Sequence, residues 1–174
     1  MTLTGEKADI ARMFADQRTN YLYTVDGITD EQARLRTTVS ELTLGGLLNH
    51  VINNERSWMK VIAEMDETAE FDVSRMGTEY VMAAGDTVAG LREEYSRVAQ
   101  ATEAALADLD LDAQVPLPTA PWAPVRTYQS VRFTLLHILR EMAQHAGHAD
   151  IIRESLDGGN TTMRMAGAGV EPAE

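Results

Sequence analysis

The sequence predicts an all-α fold, a four-helix bundle with a crossover between its second and third long helices. Three observations carry that expectation. Apolar residues recur at steps of three and four along four long segments. β-like alternation between turn pairs is hard to find. Four of the five prolines fall in residues 110–127, where they remove backbone donors and force a long connection before the last helix.

The first helix is expected over about residues 5–25, with Ile10, Met13, Phe14, Tyr21 and Val25 on one side and Gly27 as its C-terminal cap. Thr29 and Gln32 then form a capping box that opens a short turn of helix to about Leu35, and "RTTVSE" follows as a linker. A second long helix should begin near Thr43 and end before Phe71. Its stripe is Leu44, Leu47, Leu48, Val51, Ile52, Trp58, Met59 and Ile62, and it carries His50.

The third helix is expected from Thr78 to about Leu109, through Val81, Ala84, Val88, Leu91, Tyr95, Val98, Thr102, Ala105 and Leu109. A fourth runs from Tyr128 to Leu156 and is closed by Gly158 or Gly159. Residues 1–158 thus read as a single domain, and 159–174 as a flexible C-terminal tail.

Composition narrows the chemistry. The 174 residues contain no cysteine, so any protein metal ligand must be His, Asp or Glu. A net charge of -12 repels phosphate backbones and anionic lipid, which argues against nucleic acid and membrane partners. The charged N-terminus does not read as a signal peptide, and no run approaches the ~20 apolar residues of a membrane span. A cytoplasmic protein is the expectation.

Three of the four histidines lie within "HILREMAQHAGH", residues 137–148. At about 100° per residue, His137, Glu141, His145 and His148 share a narrow arc at the border of the apolar stripe formed by Val131, Leu135, Ile138, Met142 and Ala149. Burying a carboxylate beside imidazoles is costly unless they are paired or bind a cation. Glu141 and His145, one turn apart, can share a divalent ion with His50. Spacing alone also fits a solvated Glu–His pair, and the wheel puts His50 beyond the edge of its own apolar stripe. A di-iron centre is excluded, because Gln144 stands where Glu-x-x-His would need histidine.

Three stretches carry a resemblance: "DQRTNYLYTVDGITDEQARLR" (16–36), "SELTLGGLLNHVINNERSWM" (40–59) and "SVRFTLLHILREMAQHAGHADIIRESLDG" (130–158). Together they resemble the DinB-like (DinB/YfiT-like) metalloenzyme family over nearly the whole chain to residue 158. "HAGHAD" followed by "RESLDG" resembles the actinobacterial branch of mycothiol-dependent enzymes, which includes maleylpyruvate isomerase and mycothiol transferases.

That resemblance implies a metal held by His50, Glu141 and His145; many relatives have histidine at the Glu141 position, whereas the mycothiol-dependent isomerases have glutamate. It gives His137 and His148 no ligand role. His148 is read as a pocket residue and His137 as a satisfied helix residue. Zinc is the first choice of metal, with nickel, manganese or iron(II) sharing the donor preference.

The implied activity is a thiol-dependent S-transferase or isomerase that joins mycothiol, or a thiol such as bacillithiol, to an electrophile. A non-catalytic helical stress or binding protein and a metal-dependent hydrolase are the alternatives. The Trp122 loop is expected to cover the site, with Trp58 and Tyr95 in the core. Arg56, Arg126 and Arg132 are candidates for anionic substrate groups. A homodimer is the expected assembly.

Overall fold

In the computed structural model, which describes residues 3–167, the chain is all-α apart from one small hairpin. Helix α1 (Gly5–Thr24) buries Ile10, Phe14, Arg18, Tyr21 and Thr24. Met13 was expected on that stripe but is exposed, because the buried row runs 10, 14, 18, 21 and Arg18 takes the inward place. Gly27 adopts φ +71°, as its capping role requires.

Helix α2 (Asp30–Ala33) carries the expected capping box. Thr29 Oγ1 accepts from the Gln32 N–H, and Gln32 Oε1 accepts from the Thr29 N–H at 2.9 Å. Helix α3 (Leu44–Glu64) starts at Thr43, whose hydroxyl accepts from the Gly46 N–H, and ends at Met65 in the left-handed conformation. A single 3-10 turn, Val73–Gly77, follows.

The third long helix is shorter than its periodicity suggests. Helix α4 (Val88–Leu106) begins at Thr87, which caps the Gly90 N–H, so residues 78–87 are not helical. Their hydrogen bonds go elsewhere. Arg34 donates to the carbonyls of Ala83 and Asp86, and the Asp30 carboxylate accepts from the Val88 N–H at 2.7 Å. The apparent seam at Val81 and Ala84 is consequently exposed, while Met82 is buried instead.

The proline-rich connection is more ordered than its composition suggests. Strands β1 (Gln114–Pro116) and β2 (Tyr128–Ser130) pair antiparallel with Val115 opposite Gln129. The loop between them docks on residues 69–71 through Phe71 N–H to Thr119 O and Thr119 N–H to Ala69 O. Helix α5 (Val131–Asp157) then starts three residues later than expected, capped by Ser130 and closed by Gly158 at φ +77°.

A short helix, α6 (Thr161–Met165), follows. The Asp150 carboxylate accepts from the Thr161 N–H and hydroxyl, both at 2.9 Å. Arg153 reaches back to the carbonyls of Thr24 and Asp26, so Asp150 and Arg153 both have structural roles. Residues 168–174 of the expected tail lie outside the described residues.

Helix α5 packs on α1 and α3, and α4 packs on α3 and α1. The core between them is made by Phe14, Tyr21, Leu47, Leu48, Ile52, Tyr95, Leu135, Ile138 and Met142 among others. A charged pair is sunk into it. Glu55 on α3 is 0 % exposed, pairs with Arg18 of α1, and accepts from the Thr102 hydroxyl of α4 at 2.6 Å. Arg18 also donates to Glu103 at 3.0 Å. Among the described residues no helix is long and apolar enough to cross a membrane.

Removing one partner of a buried pair leaves an uncompensated charge. Arg18→Met is expected to lower the unfolding free energy by about 3–5 kcal/mol, whereas Arg18→Met combined with Glu55→Leu recovers most of that loss. Urea denaturation of the two variants beside the wild type measures the difference. A double variant no more stable than the single one would show that the pair is not the origin of the loss.

Candidate metal centre

The structure brings together the three residues singled out as ligands. His50, Glu141 and His145 each offer one donor atom, and these atoms lie within 4.8 Å of one another. α5 supplies two of them one turn apart, with Glu141 Oε2 at 3.6 Å from His145 Nε2. α3 supplies the third, and the His50 and His145 rings meet edge-on with centroids 4.7 Å apart. Both histidines are buried and Glu141 is half-buried.

His50 owes its burial to a group that sequence periodicity did not reveal. The Tyr80 ring stacks on it at 4.0 Å and 15°, and the Tyr80 hydroxyl lies 3.2 Å from His50 Nε2. Two features seat that segment on α3. Asn49 Nδ2 donates to the carbonyls of Glu79 and Val81. Gly45 and Gly46 lack the side-chain carbon that would collide with it: a Cβ at Gly46 would stand 2.1 Å from the Tyr80 carbonyl oxygen, and one at Gly45 2.3 Å from Met82 Sδ. "GG" in the first turn of a helix, where alanine is the better former, was the available signal.

The other sequence-selected residues fall into place around the cluster. His148 Nδ1 lies 3.3 Å from His145 Nδ1, so one ring donates and the other accepts. His137 Nδ1 lies 2.6 Å from Arg140 Nη2, and because a guanidinium can only donate, His137 is an acceptor there and carries its proton on Nε2. Arg140 also reaches Glu141 Oε1 at 3.5 Å. The carboxylate therefore turns one oxygen to Arg140 and the other to His145.

Some expectations are corrected. Trp122 packs on Phe71 with centroids 5.3 Å apart, and it is Tyr80 that lies over His50. Trp58 is partly buried, packs against the core and meets the His137 ring edge-on at 4.9 Å, while Tyr95 is fully core. The three arginines are all engaged by the protein: Arg56 by Glu94, Arg126 by the carbonyls of Leu117 and Ala69, and Arg132 by Glu6 and Asp112.

The protonation states suit a divalent cation. Burial pushes His50 down to about 4, helped by His145 and opposed by the Glu141 charge. Burial also lowers His145 and His137, with Glu141 opposing in both. Neutral imidazoles keep the lone pairs that ligation needs, and two imidazoles with one carboxylate form a common divalent-metal donor set.

Residues 9–158 match the family model described as mycothiol S-transferase, in agreement with the mycothiol-dependent branch of the DinB-like enzymes. A crystal structure of a conserved protein from Enterococcus faecalis superposes with a TM-score of 0.63 at 13% identity, covering 88% of this chain and 98% of that one. That likeness concerns the fold alone. No curated protein matches the chain.

Two predictions arise from this geometry. Gly46→Ala drives a Cβ into the Tyr80 backbone and should cost about 1–3 kcal/mol of stability. Gly147→Ala, with nothing within 4 Å of the added carbon, should stabilise α5 by up to about 1 kcal/mol. Thermal melts that move in the same direction for both variants would contradict the proposed seat for residues 79–82.

The second prediction concerns pH. An imidazole near 6.5 in the unfolded chain and about 4 in the folded one makes the unfolded state bind more protons between those values. In chelator-treated protein, stability should be full above about pH 6.5 and fall by about 3 kcal/mol toward pH 4. His50→Phe should flatten part of that slope in urea titrations across the window.

Proposed function

Because the chain belongs to the mycothiol S-transferase family, we propose that it is a divalent-metal-dependent S-transferase that joins mycothiol to an electrophilic small molecule. The observation that carries this reading is the convergence of His50, Glu141 and His145 donor atoms from two helices at one buried point. The four long helices are read as a DinB/YfiT-type bundle with its crossover between the second and third.

His50, Glu141 and His145 are the residues that would hold the ion, zinc being the first candidate and nickel, manganese and iron(II) the others. A divalent ion held there supplies the Lewis acidity that lowers a thiol's pKa, so that it attacks as thiolate near neutral pH. The chain's own contribution is orientation and desolvation. His148 fixes the rotation of the His145 ring, Arg140 turns Glu141, and Tyr80 keeps water from one face of His50. In the transfer, the thiol gives its proton to solvent and a sulfur–carbon bond forms; the electron pair of the bond broken at that carbon leaves with the departing group or, in an addition across a double bond, takes up a proton.

Metal analysis of purified wild type, His50→Ala and His145→Ala tests the ligand set. Wild type should carry about one equivalent, and each variant should lose most of it. Equal metal in all three would reject these ligands. A conjugation assay with mycothiol and activated halides tests the activity; metal-loaded wild type that turns over none of them would reject the S-transferase reading.

A further inference from the structure

The face of α3 that carries His50 continues beyond the metal cluster. Asn54 follows one turn later and Trp58 one turn after that, a rise of about 6 Å per step. On α5 the matching row is His145, Glu141 and His137. The two rows touch at both ends: His50 meets His145 at 4.7 Å between centroids, and Trp58 meets His137 at 4.9 Å. These contacts run antiparallel, so Asn54 lies midway on α3, opposite Glu141 midway on α5.

Among the described residues, Asn54 Oδ1 is buried and has no hydrogen-bond partner. Glu141 across from it, when ionised, has no proton to offer. A buried carbonyl oxygen without a donor costs stability, and leucine would fill the position without that cost. The hydroxyls of Tyr21 and Tyr95 are orphaned as well, but there a large buried ring offsets the polar tip. Asparagine has no such apolar body. An acceptor kept unpaired beside the donor cluster matches a ligand that brings its own donor.

We infer that Asn54 is a binding residue for the thiol cosubstrate, its Oδ1 accepting a hydrogen bond from an N–H near the sulfur. This rests on the S-transferase reading above. A thiol derived from cysteine carries an acylated nitrogen two carbons from its sulfur. With the sulfur at the cluster, that N–H falls within the single helical turn that separates His50 from Asn54. Trp58 and Tyr80 supply apolar surface at the two ends of the row.

Calorimetric titration of mycothiol into metal-loaded wild type, Asn54→Leu and Asn54→Ala tests the assignment, with metal content and thermal midpoint measured on the same samples. The leucine variant should bind mycothiol about tenfold more weakly, keep its metal, and melt no lower than wild type, because an unpaired buried oxygen has been removed. The alanine variant should lose affinity similarly and so guards against a packing artefact of leucine. Unchanged affinity in both variants overturns the assignment. Loss of metal together with affinity also overturns it, making Asn54 a support for Glu141. Wild type that binds no mycothiol rejects the S-transferase reading itself, and this assignment with it.

Discussion

The desolvated carboxylate of Glu55 sets the terms on which the helices assemble. It has no water to fall back on, so α1 and α4 can dock on α3 only in the rotation and register that deliver Arg18 and Thr102 to it. Hydrophobic stripes alone tolerate sliding and rolling; a buried ion pair with a third hydrogen bond does not. Five residues earlier on the same helix, His50 projects about 140° away from Glu55. Once Glu55 is committed to α1 and α4, His50 must face the α5 side, where His145 waits.

Helix packing alone does not finish the site. His50 lies at the margin of the α3 stripe, a position that would leave an imidazole partly wet. The segment before α4 closes it, with two glycines and Asn49 seating residues 79–82 and Tyr80 laid over the ring. The protonation state follows from that cover. Burial is the largest cause of the depressed His50 pKa, and a neutral ring is what ligation demands. The non-helical stretch that shortens α4 is thus the same stretch that conditions the site.

Much of this was legible in the sequence where a single helix's periodicity carries the information. The four long helices, the Thr29–Gln32 capping box and the alignment of Glu141 with His145 all follow from spacing along one element. What escaped depends on a second element. Residues 78–87 keep a helical rhythm in their apolar positions, yet Arg34 claims the carbonyls of Ala83 and Asp86, and the Asp86 carboxylate claims the Ala83 N–H. Tyr80 cannot be assigned to His50 without knowing that a loop crosses the glycines of α3. Arg18 and Glu55 each stood inside an otherwise apolar stripe; such a charge in the wrong place is itself a signal of a buried partner. Asn54 carried no signal at all until the antiparallel pairing of α3 with α5 put it opposite Glu141.

The glutamate at position 141 also bears on the chemistry. Two neutral imidazoles and one carboxylate would leave a divalent ion held there with one net positive charge, where three histidines would leave two. Arg140 on the outer carboxylate oxygen moderates that negative charge without neutralising it. With an ion held there, a thiolate would bring the buried assembly to electrical neutrality, the state a low-dielectric site tolerates best. A three-histidine set would hold an uncompensated charge after the thiolate arrived. As ligands, His50, Glu141 and His145 would therefore suit an anionic sulfur nucleophile better than a three-histidine set would.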